Sequence, residues 1–211
     1  MTSGVGENCV VEDRFLRYMK TMKEKCGIDI FSDKTDPRVN PSSVSNLVYE
    51  SLDGCVARFY PPDVVSVIKT LYTPSGICDM IRDEKEIWAA VSSQGLEWVM
   101  SLHNNQGRNL ELSMFYGKCG IKGARSADYL FKKAESRVIE GNYNFLIGKV
   151  LRSGWGFITN VGNRYGNLTF SEPYTVIERN RVTGKEIAFE VADYKYSPRV
   201  SMRPAHICSH V

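Results

Sequence analysis

Apolar residues at three- and four-residue steps open the chain. Val11, Phe15, Tyr18, Met19 and Met22 recur between Arg14, Arg17, Lys20 and Lys23, which predicts an amphipathic helix over Val10–Lys25, ended by Cys26-Gly27. Ser32–Pro41 is a polar loop holding two prolines. A shorter helix is expected from Ser42 or Ser43 to about Leu52, serine-capped, with Val44, Leu47 and Val48 inward. Cys55–Tyr60 reads as a strand. Pro61-Pro62-Asp63 then opens a helix over Val64–Leu71, with proline in the first turn, where its missing N–H costs nothing. Thr73-Pro74-Ser75-Gly76 is a turn, Asp83–Val91 reads as helical, and Leu96–Leu102 suits a helix or a strand. After the Asn104–Gly107 turn, Leu110, Leu112, Met114 and Tyr116 alternate with Glu111 and Ser113, as in a half-buried strand.

Gly117–Gly123 reads as a boundary. Arg125–Glu140 is a basic amphipathic helix with Tyr129, Leu130, Ala134 and Val138 as its apolar stripe, stopped by Gly141-Asn142. Short β-rich runs follow: Phe145–Leu151, Gly154–Asn160, Asn167–Phe170, Glu186–Val191 and Arg199–Met202. The predicted fold class is α+β. An α-rich N-terminal region, compatible with a winged-helix-like module and equally with other small α+β folds, precedes a small five-stranded OB-type barrel. The expected parts are 1–116, a basic linker and helix over 117–144, the barrel over 145–207 and a tail over 208–211.

Charge sharpens this division. Residues 1–116 carry 12 Lys and Arg against 16 Asp and Glu, and residues 117–211 carry 15 against 8. The acidic half suits a protein partner and the basic half suits phosphate backbones. No run approaches the roughly 20 apolar residues of a membrane-spanning helix, and Met1–Asn8 lacks the apolar core of a signal peptide. A cytoplasmic or nuclear location is therefore expected, without membrane contact. The six cysteines (Cys9, Cys26, Cys55, Cys78, Cys119, Cys208) form no C-x-x-C pair and are expected to be reduced thiols.

The order of residues in the last third carries a resemblance. Gly148-Lys149-Val150, Gly154-Trp155-Gly156-Phe157-Ile158, Gly166-Asn167-Leu168-Thr169-Phe170, Gly184–Val191 and Pro204-Ala205-His206-Ile207 together resemble a cold-shock domain over about 60 of 211 residues. Strand alternation would put Trp155 and Phe157 on one face, a stacking platform worth roughly 1–3 kcal/mol per base. The resemblance implies binding of single-stranded RNA or DNA by Trp155, Phe157 and Phe170. Lys149, Arg152 and Arg164 are the candidate backbone contacts, joined by Lys132, Lys133 and Arg137 of the basic helix. Thr169 and Ser171 stand where that family places an aromatic and a histidine. This departure keeps open a second reading, a protein-binding adaptor of a ribonucleoprotein assembly.

Enzyme signatures are missing from the sequence. There is no G-x-x-x-x-G-K-[ST] loop, G-x-S-x-G elbow or H-E-x-x-H. His206, Cys208 and His210 lack a second ligand cluster, His103 sits beside a turn, and Asp79, Asp83, Glu84 and Glu86 read as a solvated helix face. No catalytic residue, metal or cofactor is expected. An enzyme of unrecognised chemistry is the weakest of the three readings.

Overall fold

Successive hairpins form one half of a single sheet. The computed structural model describes residues 20–21, 23–25, 27–31, 37–83, 86–105, 108–180 and 182–199. Strands β1 (Asp29–Phe31), β2 (Glu86–Ser92), β3 (Gly95–Asn105) and β4 (Asn109–Gly117) pair antiparallel in that order. A long helix then carries the chain across the sheet to β5 (Phe145–Leu151), which pairs parallel with β4. On the far side lies β8 (Glu186–Pro198), antiparallel to β5. The outer edge of β8 takes β6 (Gly166–Phe170) and β7 (Tyr174–Arg179) end to end. The result is an open, mixed, eight-stranded sheet.

Each sheet face is covered by a helical layer. One layer is α1 (Pro41–Gly54), α2 (Pro62–Leu71) and α3 (Pro74–Arg82). Its Val44, Leu47, Val48, Leu52, Val64, Val67, Ile68 and Ile77 pack against Ile87, Ala89, Val91, Val99 and Met114. Proline starts each of these helices at its first turn. Asn40, not a serine, caps α1 by accepting from the Ser43 N–H at 2.9 Å. Thr73 caps α3, so the expected 73–76 turn is a helix start. The other layer is α4 (Ile121–Glu140) and α5 (Arg152–Tyr165). Its Leu130, Phe131, Ala134, Val138, Ile158 and Val161 meet Met100, Leu102, Leu110, Leu112, Leu146, Tyr194 and Tyr196.

This architecture corrects the predicted one. No barrel closes, and no winged-helix module stands ahead of it among the described residues. Gly154–Asn160, expected as a barrel strand, lies inside α5. Its apolar residues Trp155, Ile158 and Val161 fall at helical spacing and pack on the sheet. Asp83–Val91, expected to be helical, overlaps β2 from Glu86 onward, whose Ile87, Ala89 and Val91 face one layer and Trp88 and Ala90 the other. Cys55–Tyr60 holds a turn of 3-10 helix at Val56–Arg58 rather than a strand. The helix over Val10–Lys25 lies outside the described residues except for its last turn, which ends at Gly27 with φ +63°. Of the fifth barrel strand, Arg199 is not in a strand, and residues 200–202, like the 208–211 tail, lie outside the described residues.

The cysteine expectation also changes. Cys55, which caps the end of α1, and Cys119, two residues past β4, are joined as a disulfide with their Cα atoms 6.2 Å apart. Sixty-four residues separate them, so no local spacing announces the pair. Cys78 is free. Among the described residues no helix is long and apolar enough to cross a membrane.

Candidate functional site

The site begins where two parallel strands part. Strands β4 and β5 pair only from Asn109↔Phe145 to Leu112↔Gly148. Beyond that rung β4 continues to Gly117 and β5 to Leu151, with β5 still paired to β8. The divergence has a local cause in β4. Opposite Ser101 and Leu102 the register steps from Met114 to Leu112, leaving Ser113 as an extra residue. Such a bulge bends and twists a strand. It also reverses the alternation: Leu110 and Leu112 face α4 and α5, whereas Met114 and Tyr116 face α1–α3. The four apolar residues expected on one face are thus split between two.

Both parting strands run in one direction and both hand over to a helix. From β4 the chain turns through Gly117-Lys118-Cys119-Gly120 into α4, and from β5 it enters α5 directly. Neither N-cap residue, Gly120 or Leu151, supplies a capping side chain, and at α5 the Arg152 N–H is taken up by the Tyr60 hydroxyl at 2.9 Å. The remaining first-turn N–H groups and the positive dipole ends of both helices lie at the same sheet edge, at the mouth of the gap, which suits an anion. Gly120 holds φ +101°, and a Cβ built there meets nothing within 4 Å, so the loop is open on that side. Its neighbours are tightly packed. A Cβ at Gly117 would overlap the Trp98 indole, and one at Gly123 would overlap the Lys118 carbonyl. Lys118 is anchored to Glu97 twice, through its N–H to the carbonyl at 2.9 Å and its ammonium to the carboxylate at 3.3 Å.

Aromatic rings line the mouth. Trp98 lies 4.8 Å from Phe115 and 6.3 Å from Phe157, and Phe115 lies 5.6 Å from Phe157, centroid to centroid. Trp98 Nε1 is buried without a hydrogen-bond partner among the described residues, beside Gly123. The Tyr194 hydroxyl is likewise buried and unpartnered, next to Gly148 at the last rung. Among the described residues no group of three or more His, Cys, Asp or Glu is placed to hold a metal.

The residues singled out from sequence are distributed as follows. Phe157 joins the ring cluster, and Trp155, half-buried one turn from the start of α5, donates its indole N–H to the Val150 carbonyl at 3.3 Å. These rings pack on the sheet instead of forming an exposed strand platform. Lys132 and Arg164 meet at Tyr165: the ammonium sits 4.3 Å above the ring, and the guanidinium donates to its hydroxyl at 3.4 Å. That hydroxyl donates in turn to Asp128 at 3.3 Å. Lys133 is buried, pairs with Glu140 at 3.5 Å and lies over Trp88. Arg137 reaches Glu86 and Glu140 at 3.0 and 3.1 Å. Lys149 is exposed on β5, Arg152 begins α5, and Phe170 is exposed at the end of β6. These nine residues form no single surface. The Gly117–Gly123 segment, read as a boundary, is the part of the site that sequence reasoning missed. Its signal was a strand, a glycine-bearing loop and a helix in immediate succession.

No protein-family model and no curated protein matches the chain in sequence. Its fold does match solved structures. A GCN5-related N-acetyltransferase from Rhodopseudomonas palustris superposes with TM-score 0.60 at 11% identity, over 78% of this chain and 92% of that one. The PaiA N-acetyltransferase of Thermoplasma acidophilum, solved with coenzyme A, gives TM-score 0.58 at 14% identity, over 80% and 99%. A GNAT-family acetyltransferase from Elizabethkingia anophelis with acetyl-CoA bound gives 0.50 at 10%, over 82% and 99%. The fold is therefore that of the GNAT acetyltransferases. This overturns the cold-shock resemblance, whose central motif lies on a helix. The non-catalytic nucleic-acid-binding reading, its single-stranded RNA or DNA partner and the adaptor alternative fall with the barrel they required. No enzyme was expected, whereas these solved structures that share the fold are acetyltransferases.

Proposed function

We propose that the chain transfers an acyl group from a coenzyme A thioester to a small amine. The observation that carries this reading is the gap between β4 and β5, opening at the shared mouth of the N-termini of α4 and α5. Solved relatives in fold hold coenzyme A or acetyl-CoA.

The residues present suit that coenzyme. Its diphosphate needs converging N–H donors, supplied by the backbone of Ile121, Lys122 and Gly123 at the start of α4. The open face at Gly120 gives room for a backbone-to-phosphate approach. Arg125, exposed at the start of the second turn of α4, and Arg152, exposed as the first residue of α5, add positive charge at this edge. The pantetheine arm carries amides, and β4 beyond Leu112 offers strand backbone that β5 does not pair. The buried Trp98 N–H is a donor still in want of an acceptor at the loop. When bound, the coenzyme supplies an activated acyl carbon and a thiolate leaving group. The chain's own part is to hold the arm in the gap, keep water from it with the Trp98–Phe115–Phe157 rings, and admit the amine from the opposite side of the sheet.

The test is calorimetric titration of the purified chain with acetyl-CoA, followed by thiol-release assays over a panel of primary amines. Saturable binding with amine-dependent thiol release is expected. Failure to bind acetyl-CoA at millimolar concentration would overturn the reading.

A further inference from the structure

We propose that the Cys55–Cys119 pair is a redox clasp that sets how tightly the glycine loop holds its ligand. The inference rests on the coenzyme reading of that loop and deepens it by naming a regulation.

The two ends of the clasp differ in rigidity. Cys55 caps α1, a helix whose Val44, Leu47, Val48 and Leu52 are buried in the core, and its N–H donates to the Ser51 carbonyl at 2.8 Å. Cys119 is exposed, in a loop bounded by Gly117 and Gly120. The disulfide therefore ties an exposed loop to a fixed helix end. The Cα separation of 6.2 Å lies inside the range that disulfides span without backbone movement. Gly54 lets the chains approach, since even a Cβ there would sit 3.1 Å from Cys119 Sγ.

The direction of the tie matters. Helix α1 belongs to the layer on one sheet face and α4 to the layer on the other. The clasp restrains the loop from the α1 side and leaves the first-turn amides of α4 uncovered. An oxidised loop is thus held ready for a diphosphate. A reduced loop keeps its Lys118 anchors on Glu97 but loses the tie at Cys119. The stretch from Cys119 to Gly120 must then be ordered during binding, which weakens affinity. Exchange is chemically complete with a low-molecular-weight thiol. Its thiolate attacks the exposed Cys119 sulfur, the S–S bond breaks, and Cys55 leaves as a thiolate that takes a proton. A second thiol resolves the mixed disulfide, giving two cysteine thiols and one small-molecule disulfide. Oxidation by a disulfide such as oxidised glutathione is the reverse.

The experiment compares the full chain after oxidised glutathione with the full chain after a phosphine reductant. The probe is acetyl-CoA, which has no free thiol to open the bond. Peptide mapping should show Cys55 linked to Cys119 in the first sample and both alkylatable in the second. Acetyl-CoA should bind roughly fivefold more weakly after reduction, and the C55S/C119S double variant, which has no thiol at either end of the clasp, should match the reduced protein under both treatments. Equal affinity in both states, tighter binding after reduction, or two free thiols after oxidation would each overturn the clasp. Equal affinity leaves the coenzyme reading intact. Absence of binding in both states removes the coenzyme reading and the clasp together.

Discussion

The Tyr60 hydroxyl takes the place of a sheet rung between Arg152 and Glu190. The β5–β8 ladder ends at Leu151↔Val191, and Arg152 and Glu190 would pair next. Instead the Arg152 N–H donates to Tyr60 at 2.9 Å, and Tyr60 donates to the Glu190 carbonyl at 3.0 Å. The inserted hydroxyl releases β5 from its neighbour, and Arg152 becomes the first residue of α5. Tyr60→Phe should strand both backbone groups. Because the site is exposed enough for water to enter, the expected cost is about 1 kcal/mol in a urea titration, the low end for a lost hydrogen bond. A neutral result would show that water replaces the hydroxyl fully.

Two glycines should respond oppositely to alanine. A Cβ at Gly117 would overlap the Trp98 ring, whereas one at Gly156, exposed within α5, meets nothing within 4 Å. Gly117→Ala should destabilise by about 1–3 kcal/mol through overpacking, and Gly156→Ala should stabilise by about 0.5–1 kcal/mol through helix propensity. Thermal unfolding of the two variants checks both signs.

Acid stability should depend on Glu140. Burial works to raise its pKa, but the Ser136 hydrogen bond and the Lys133 and Arg137 charges outweigh it and hold Glu140 below the ordinary carboxylate value. A depressed pKa contributes stability above the unfolded value that is lost as pH falls through the folded one. Glu140→Gln should therefore lower the melting temperature at pH 7 and narrow its gap to the native chain as pH falls below about 4.5. A gap that stays constant with pH would remove Glu140 from the acid transition.

Alkali should act through tyrosines. Burial raises Tyr72, Tyr116, Tyr194 and Tyr196, reinforced by Tyr72 at Tyr116, by Glu111 at Tyr194 and by Glu135 at Tyr196. A folded pKa above the unfolded one gives stability that is complete below about pH 10 and is lost as pH rises through the folded value. Tyrosinate absorbance should therefore lag behind free tyrosine and then appear together with unfolding. Early titration of all eleven tyrosines in the folded chain would contradict this.

Trp155→Ala should read as a packing loss. Its ring lies against the core, so about 3 kcal/mol of stability is expected to go. A Trp155 that emits like free indole in a Trp88- and Trp98-substituted background would contradict the packing.

Much of the secondary structure was legible and the topology was not. Phe145–Leu151 is a strand with the expected bounds, and the expected helices over Val64–Leu71 and Arg125–Glu140 lie within α2 and α4. These segments carry one clear period each. Gly154–Asn160 carries two: glycines and β-branched residues favour a strand locally, while Trp155 and Ile158, with Val161 just beyond, share a helical face that only the sheet beneath rewards. The misreading there invited the barrel. The site depended on features no local pattern shows: the extra residue at Ser113 and the parallel pairing of β4 with β5 across a 20-residue helix. Charge misled for a similar reason, since Lys133 and Arg137 neutralise Glu86 and Glu140 inside the fold.

The β7–β8 turn latches onto α2: Lys185 reaches Asp63 at 3.4 Å, and Asn180 reaches Ser66 at 3.3 Å. The first of these pairs spans 122 positions of sequence. At about 5–20 residues per second of synthesis, α2 emerges from a ribosome on the order of 6–24 s before the segment that secures it. The helical layer over β8 is thus a late event in the life of a nascent chain. Chains stalled before Asn180 should be cut by protease near Asp63–Ser66, and released full-length chains should resist.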